Sequence, residues 1–552
     1  MEVARGTICC GSVPKKSKVD RCSHFWNVPR VMLRPPSQKT LGSLSVPAVL
    51  LALVLLMRCW NSADVFVAGK TFFVDADCYS RMTRVQRIYE HPGTVIHRHE
   101  FENWPEGTQP HTTAPFDYLT AGLAGLLRVY ARGNQAALDL AGAWISPLLG
   151  VLTAAFLWCW GGRNRIPMLF LFAVSPILVH GTVLGRPDHQ SLLLLCLAVA
   201  LGAETKLWES PSRGWAIAGG LAWGLGLWVS LYEPLVLLAG TLVLGIAGGR
   251  KSFFSRERVG WGAALAGVLL LATLVDGWRS PLPDPVAREY FANWSRTIGE
   301  LAHLPFPALF HWTGWLLLAA PCILFWLGWK KLDRTAWFWL VLLLALSALT
   351  CWQARWGYFL ALVFAMSLPS LLEVFSKRWL ALAAFGVSLW PLAVEWDQRL
   401  DLGSRDLRAE QRRDNLALYD VAQTLRGPLR LPVLAPWWQS PALAYWSGQP
   451  CVAGSSHESL PGTVDASRFY LSTNTGAAEA ILSRRRVACV VVYEPSRVNA
   501  VSGAILGEAP VEGTLGQFLY ERPHSAPPFL QPVDESSNGP FRVFLRLGGL
   551  EQ

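Results

Sequence analysis

The chain has 552 residues, of which 52% are hydrophobic and 16% are charged. Soluble domains average about 25% charged residues, and a mean hydropathy of +0.29 leaves this chain short of polar surface. These values exclude a soluble fold, a disordered chain and a fibrous repeat, and they predict a polytopic membrane protein. The formal charge of +10 is better explained by lysines and arginines in cytoplasmic loops than by nucleic-acid binding.

The predicted elements begin with a disordered basic arm at residues 1–40, which we expect to stay in the cytoplasm. The first apolar run follows at 41–57 and is long enough to cross about 30 Å of hydrocarbon. Further apolar runs centre on 138–160, 166–184, 191–207, 215–231, 235–249, 261–275, 307–329, 336–352, 356–375 and 380–394. Together they predict about 11 transmembrane helices within residues 41–395.

The segment 116–130 is apolar but short and charged, so it either crosses the membrane or lies flat in its interface. If it lies flat, the short loops rich in lysine and arginine all fall in the cytoplasm, as the positive-inside rule requires. If it crosses, all of them move outside. We therefore expect it to lie flat, which leaves outer loops at 60–136, 185–190 and 276–305.

After residue 395 the composition becomes polar, with glycine and proline throughout. The runs 429–434 and 487–493 are rich in the β-branched residues that favour strands. We expect residues 396–552 to form a small α/β domain on the extracytoplasmic side. The predicted fold class is therefore a polytopic α-helical membrane protein with a C-terminal extracytoplasmic α/β domain.

Acidic residues are nearly absent from the middle of the predicted spans, which argues against an ion-coupled transporter. Acidic clusters lie instead at the outer edge of the membrane, at 75–77, 186–189 and 297–300. Carboxylates that converge from separate loops are typical of a site for Mg²⁺ or Mn²⁺, which prefer oxygen ligands. The alternative is that they are solvated charges of the loops.

Short motifs at these clusters resemble those of oligosaccharyltransferase catalytic subunits, in the same order along the chain. Asp-Ala-Asp-Cys-Tyr-Ser-Arg at 75–81 resembles the family's first acidic motif, in which an aromatic residue and an arginine follow the Asp. Gly-Arg-Pro-Asp-His-Gln at 185–190 resembles its second acidic motif. Thr-Ile-Gly-Glu at 297–300 matches the Thr-Ile-x-Glu motif of its bacterial members. Gln-Ala-Arg at 353–355 and Trp-Trp at 437–438 resemble two further motifs.

The resemblance implies a GT-C fold and an inverting, metal-dependent glycosyltransferase. Such an enzyme transfers a glycan from a polyprenyl-pyrophosphate donor to a protein acceptor. We accordingly expect a single chain in a bacterial cell membrane, with its active site on the extracytoplasmic face. The expected partners are the lipid-linked donor, a protein or peptide acceptor and membrane lipid, without nucleic acid.

The resemblance also assigns roles to acidic residues. Asp75, Asp188 and Glu300 are expected to be catalytic and to hold Mn²⁺ or Mg²⁺. In the family, counterparts of Asp75 and Glu300 also hold the acceptor nitrogen, because an amide is a poor nucleophile that must be oriented. The sequence leaves open whether His189 or Gln190 completes the metal site.

Substrate binding is expected of Arg355, Trp437, Trp438 and Gln439. Arg355 would donate to the departing pyrophosphate; the alternative is an arginine that snorkels at the end of a span. The family uses a Trp-Trp-Asp motif to recognise the Ser or Thr of the acceptor, so Gln439 weakens that recognition and the acceptor need not be Asn. The alternative for both tryptophans is packing at the membrane boundary.

Other functions stay open on the sequence alone. One is a GT-C transferase that moves a single sugar from a polyprenyl monophosphate to a lipid, a polysaccharide or a Ser/Thr acceptor. Gln439 favours it, whereas the intact motif at 297–300 favours the oligosaccharyltransferase interpretation. A transporter of lipid-linked glycan would require ionisable groups deep in the spans, and few are present. The last alternative is a non-catalytic relative.

Overall fold

A computed structural model describes residues 38–110, 114–247, 255–277, 285–509, 512–533 and 539–548. This part of the chain is mostly helical, as the sequence predicts. Of these residues, 38–46 belong to one unit and those from Pro47 onwards to a second, much larger one. The predicted basic arm at 1–40 lies outside the described residues up to residue 37.

Up to residue 400 the described chain is mostly helical, and its longest described connection is the loop at residues 91–110. The α-helices are Gln38–Arg58, Ser62–Val65, Ala76–Glu90, Ala114–Leu127, Asn134–Trp160, Arg165–Val174, Pro176–His180, Gln190–Glu209, Arg213–Val229, Tyr232–Ala247, Arg256–Asp276, Pro285–Ser295, Phe310–Thr313, Leu316–Lys331, Arg334–Trp352, Gly357–Leu372, Arg378–Ser388 and Trp390–Leu400. Short 3₁₀ helices cover Gly162–Asn164, Gly299–Leu301, Phe306–Leu309 and Ala354–Trp356, and a hairpin pairs Phe66–Val67 with Lys70–Thr71.

Within the described residues, six helices are long and apolar enough to cross a membrane, or seven if the bent pair Phe306–Thr313 and Leu316–Lys331 forms one span. The six are Asn134–Trp160, Gln190–Glu209, Arg256–Asp276, Arg334–Trp352, Ala354–Leu372 and Arg378–Leu400. Shorter apolar helices cover Ser45–Arg58, Arg165–Val174 and Tyr232–Ala247. These helices support a multi-pass membrane protein. The count of about 11 spans and the orientation of the chain stay predictions.

The predicted run 166–184 is not one continuous helix. It breaks at Ser175, whose backbone is extended (φ −61°, ψ 118°), and the short helix Pro176–His180 follows. Pro176 explains the break, because its ring lacks an N–H and disfavours a helical residue before it. Ser175 Oγ donates to the carbonyl of Trp312 at 2.6 Å, which fixes the break against another helix. The chain beyond the break carries His180 and Arg186.

The region from residue 402 onwards contains a small mixed sheet with flanking helices. The strands lie in the order Val433–Leu434, Cys489–Val492, Arg542–Arg546, Leu530–Pro532; the first pair is parallel and the others are antiparallel. All of Cys489–Val492 is buried. The α-helices here are Leu402–Thr424, Ser440–Ser447, Leu460–Leu471, Thr475–Arg484, Pro495–Leu506 and Leu515–Glu521, with 3₁₀ helices at His457–Ser459 and Pro523–Ser525.

Two large hydrophobic cores stabilise the large unit. One surrounds the helix Gly357–Leu372, most of whose residues are buried. The other joins the segment 72–88 to the C-terminal sheet. In that second core, Trp446 meets Tyr79 and Phe72 edge to face, with ring centroids 4.8 and 5.4 Å apart. The first acidic motif is therefore fixed against the C-terminal region by shared packing.

A buried arginine adds a polar connection between the same two parts of the chain. Arg485 Nε donates to Asp465 Oδ2 at 2.7 Å, and its Nη1 donates to the carbonyl of Trp104 at 3.2 Å. Nη1 also pairs with Glu106. Arg485 and Asp465 are each only 5% exposed, so their pairing replaces the water that both charges lost on folding.

We expect Arg485→Met to lower the free energy of unfolding by about 3 kcal/mol, because it leaves the buried carboxylate of Asp465 poorly compensated. Arg484→Met is the matched control. Arg484 also pairs with Asp465 at 2.7 Å, but its side chain is 60% exposed, and exposed pairs contribute about 0–1 kcal/mol. Thermal unfolding of both purified variants in detergent measures the difference. Equal losses would contradict the importance given to Arg485.

Candidate functional site

Arg186 lies between the three acidic residues that the sequence singles out. Its guanidinium is 3.1 Å from Asp75 Oδ2, 3.7 Å from Asp188 Oδ2 and 2.7 Å from Glu300 Oε1. The side chains of Arg186 and Asp188 are buried, whereas those of Asp75 and Glu300 are 34% and 31% exposed. The structure thus brings carboxylates from three separate loops to one guanidinium, and two of them are accessible from outside.

The position of Asp75 follows from its place at the start of a helix. Asp75 is the N-cap of Ala76–Glu90, and its Oδ1 accepts a hydrogen bond from the backbone N–H of Cys78 at 3.0 Å. The preceding residue, Val74, donates its N–H to the carbonyl of Gly185 at 2.9 Å. Gly185 has a φ of +74°, and a Cβ there would lie 2.6 Å from Val65. A glycine is therefore needed for the loops of Asp75 and Asp188 to meet.

Asp188 is surrounded by hydrogen-bond donors. Its Oδ1 lies 2.7 Å from both the backbone N and Nδ1 of His189, and 3.5 Å from Arg81 Nη2. Burial alone would raise the pKa of this carboxyl, but the attraction of His189, Arg81 and Arg186 lowers it far below its ordinary value. Asp188 is therefore a permanent carboxylate, and its role is to hold the surrounding cations in place.

A closed ring of hydrogen bonds fixes the guanidinium of Arg186. Its Nη1 lies 2.9 Å from His180 Nε2, His180 Nδ1 lies 2.8 Å from the Tyr358 hydroxyl, and that hydroxyl donates to Glu300 Oε1 at 3.0 Å. Because an arginine can only donate, His180 Nε2 accepts and the ring proton sits on Nδ1. Each Nη atom of Arg186 has one hydrogen-bond acceptor, His180 Nε2 or Glu300 Oε1. Each also pairs with the charge of one aspartate, Asp75 at Nη1 and Asp188 at Nη2.

Arg355 and Glu300 lie on neighbouring short turns. The backbone N–H of Ala354 donates to the carbonyl of Ala302, and that of Leu304 donates to the carbonyl of Cys351, both at 3.0 Å. These bonds join the turn Gly299–Leu301 to the turn Ala354–Trp356. Arg355 is therefore close enough to interact electrostatically with Glu300 and Asp188.

The partner of Arg355 is Glu233, which is buried. Glu233 Oε2 also accepts a hydrogen bond from Ser230 Oγ at 2.7 Å. The side chain of Arg355 is 25% exposed, against 2% for Glu233, so the arginine keeps an accessible side. The sequence analysis missed Glu233, although a glutamate beside a proline at the edge of an apolar run was a signal that could have identified it.

Asp77 lies beside the cluster and is exposed to solvent. The protein around it displaces water, and the negative charges of Asp75 and Asp188 add repulsion; together they raise the pKa of Asp77 to about 8, while Ser455 acts in the opposite direction. The carboxylates of the cluster therefore act on Asp77 electrostatically.

Trp437, Trp438 and Gln439 lie at the start of the helix Ser440–Ser447. Trp437 packs against the same small apolar core as Ile298 and Leu301, which flank Glu300, and the two tryptophan rings meet edge to face with centroids 6.0 Å apart. Within the described residues, the Nε1 atoms of both tryptophans and Oε1 of Gln439 are buried without a hydrogen-bond partner. Buried polar atoms rarely stay unpaired, so these atoms are suited to bind a substrate group.

The predicted metal ligands do not form a metal site in this arrangement. Among the described residues, no group of three or more His, Cys, Asp or Glu side chains is placed to hold a metal ion. Asp75, Asp188 and Glu300 meet at the guanidinium of Arg186 instead. The sequence analysis gave Arg186, His180 and Tyr358 no role, and only the charge of Arg186 beside Asp188 could have suggested one.

Comparison of the sequence finds no matching family model and no matching curated protein. The structure, however, is similar to solved structures of membrane enzymes. The oligosaccharyltransferase AglB of Archaeoglobus fulgidus, in complex with an inhibitory peptide and a dolichol-phosphate, has 16% identity and a TM-score of 0.63, covering 87% of this chain and 72% of that one. A complex of the same enzyme with zinc and sulfate has 16% identity and a TM-score of 0.60, covering 84% and 70%.

ArnT of Cupriavidus metallidurans, bound to undecaprenyl phosphate, has 13% identity and a TM-score of 0.54. The match covers 92% of this chain and 97% of that one. At identities this low, the likeness establishes the fold alone. It confirms the predicted GT-C fold, which both enzymes share.

Proposed function

We propose that this protein is a membrane glycosyltransferase that moves a glycan from a polyprenyl-phosphate-linked donor to an acceptor. The observation that carries the proposal is the meeting of Asp75, Asp188 and Glu300 around Arg186. Carboxylates for the acceptor and arginines for a phosphate are the groups that such a transfer needs. The shared fold with AglB and ArnT supports the same class.

Within this class we propose an oligosaccharyltransferase-like reaction, with a pyrophosphate-linked donor and a protein acceptor on the extracytoplasmic face. AglB has been solved with a peptide and a dolichol-phosphate. The unpaired polar atoms of Trp437, Trp438 and Gln439, the first of which packs on the same core as the Glu300 turn, are suited to bind the acceptor. We expect the protein to act as a single chain in a cell membrane.

In the proposed reaction, the acceptor N–H or O–H donates to Asp75 or Glu300, whose exposed carboxylates orient it. The acceptor atom attacks C1 of the donor sugar on the face opposite the phosphate, so the new bond to C1 forms as the C1–O bond to phosphate breaks. The carboxylate takes up the acceptor's proton, and the leaving phosphate keeps the bonding electron pair. Configuration at C1 is inverted. Arg355 donates to the leaving phosphate.

A second candidate is the transfer of a single sugar from a polyprenyl monophosphate. The match with ArnT, which was solved with undecaprenyl phosphate, covers nearly all of both chains. In addition, Gln439 provides an amide at the position where the Trp-Trp-Asp motif of oligosaccharyltransferases has the carboxylate that recognises the Ser or Thr of the acceptor. The acceptor would then be a lipid, a polysaccharide or a Ser/Thr side chain.

The reaction proposed above does not use the predicted Mn²⁺ or Mg²⁺ in any step. The structure of AglB with zinc and sulfate is compatible with a divalent cation in an enzyme of this fold. In the present chain, the carboxylates expected to hold the metal are paired with Arg186. Dependence on Mn²⁺ or Mg²⁺ therefore stays a prediction from the sequence.

The test is binding and transfer with defined donors. Native mass spectrometry of the purified protein with undecaprenyl phosphate and undecaprenyl pyrophosphate reports donor binding without requiring the correct glycan. Transfer is then assayed with glycan-loaded lipids and a fluorescent Asn-x-Thr peptide. Glycosylated peptide from the pyrophosphate donor supports the first candidate, and product on lipid from the monophosphate supports the second. Failure to bind either lipid would refute the glycosyltransferase proposal.

A further inference from the structure

We propose that Arg186 takes the place of the divalent cation at this centre. Its guanidinium is the resident positive charge that holds Asp75, Asp188 and Glu300 together, so the site needs no metal ion. The proposal rests on the proposed function only where it concerns transfer, because the arrangement of charges can be measured in a protein without any substrate.

The first argument is geometric. Magnesium needs oxygen ligands at about 2.0–2.1 Å in a near-octahedral arrangement, which requires the carboxylates to converge on a point. Here they are spread around a planar group, with Asp75 on Nη1 and with Glu300 and Asp188 on Nη2. That is the spacing of a planar fork of donors. The carboxylates are arranged for a guanidinium.

The second argument is that hydrogen bonds hold the side chain of Arg186 in the centre of the cluster. His180 Nε2 accepts from Nη1 at 2.9 Å and is itself oriented through Tyr358. A metal ion could take this position only if the buried guanidinium left the carboxylates, and a buried charge without its partner is strongly unfavourable. The surrounding side chains therefore keep Arg186 in the centre.

The third argument concerns charge. An arginine guanidinium stays protonated in proteins, and that of Arg186 pairs with Asp75, Glu300 and Asp188. Arg81 adds a second positive charge beside Asp188 at 3.5 Å. A divalent cation placed next to two arginines would be repelled. The carboxylates are already compensated within the chain.

The experiment is a titration of the full-length protein in detergent with Mn²⁺, in which electron paramagnetic resonance measures free Mn²⁺. Wild-type protein and Arg186→Lys, which keeps a positive charge, should bind no stoichiometric Mn²⁺. Arg186→Gln removes the cation but keeps hydrogen-bonding groups. It should bind one Mn²⁺ per chain at least about 10-fold more tightly than wild type, because affinity rises with uncompensated carboxylates.

Matched variants show whether the binding arises at this centre. Arg485→Gln also removes a buried arginine that pairs with carboxylates, away from the cluster, and should not bind Mn²⁺. Adding Asp188→Asn to Arg186→Gln should abolish the acquired binding. The wild-type measurement remains decisive if Arg186→Gln fails to fold.

Stoichiometric Mn²⁺ binding by the wild-type protein that Asp188→Asn removes would overturn the proposal, as would a folded Arg186→Gln that acquires none. Where transfer can be assayed, the wild-type enzyme should keep its rate after EDTA treatment, and loss of transfer restored by Mn²⁺ would also overturn it. A protein that binds neither undecaprenyl phosphate nor undecaprenyl pyrophosphate refutes the proposed function, and if it also binds no Mn²⁺ the assignment of Arg186 is still supported.

Discussion

Replacing Asp75 with asparagine or Glu300 with glutamine is expected to lower the rate of glycan transfer by at least about 100-fold, the usual contribution of a positioned acid or base. Both carboxylates contact Arg186 and both are about a third exposed, which is what a group that receives the acceptor's proton requires. Neither amide can take up a proton at neutral pH. The rate with saturating acceptor is the measurement.

The N-cap position of Asp75 provides a control for the loss of helix stability in this experiment. Asparagine is as good an N-cap as aspartate, so Asp75→Asn keeps the hydrogen bond to the Cys78 N–H and the fold of Ala76–Glu90. Asp401 is also an N-cap, accepting from the N–H of Ser404 at 2.7 Å, but it lies outside the cluster. Asp401→Asn should transfer at the wild-type rate. Equal loss in Asp75→Asn and Asp401→Asn would contradict a catalytic role for Asp75.

The sequence could identify the acidic residues because each lies in a short string whose neighbours also resemble a family motif. Asp75, Asp188 and Glu300 needed no knowledge of packing to be selected. Their joint contact with Arg186 could not be foreseen, because nothing in a sequence shows which way a loop side chain points. His180 and Tyr358 were harder still to identify as site residues. Both lie in apolar runs, where a polar residue is usually interpreted as one that lies at the membrane interface.

Hydrophobicity predicted the helical membrane fold well and its interruptions poorly. Over 166–184 the apolar composition is continuous, so the run was interpreted as one span despite Pro176. The proline changes the backbone geometry but hardly changes the mean hydropathy of the run, so hydropathy alone does not reveal the break. Glu233 was missed for a related reason, because its pairing with Arg355, which is distant in the sequence, exists only in the folded chain.

Arg355→Gln is expected to lower the rate of transfer by about 100-fold or more, as removal of a donor to developing charge does in other enzymes. Arg355→Lys should recover only part of it, because an ammonium lacks the planar fork that fits a phosphate. Arg355→Gln also leaves Glu233 as a buried carboxylate without its partner. A loss of rate alone therefore does not distinguish phosphate binding from stabilisation of Glu233.

A double-mutant cycle separates the two roles. If Arg355 only compensates Glu233, then Arg355→Gln/Glu233→Gln removes both charges and should restore transfer together with thermal stability. If Arg355 binds the leaving phosphate, the double variant should recover thermal stability while transfer stays low. We expect the second result, because the side chain of Arg355 is partly exposed. In addition, backbone hydrogen bonds join the turn of Arg355 to the turn of Glu300. Recovery of transfer in the double variant would contradict a role in phosphate binding and leave Arg355 a structural residue.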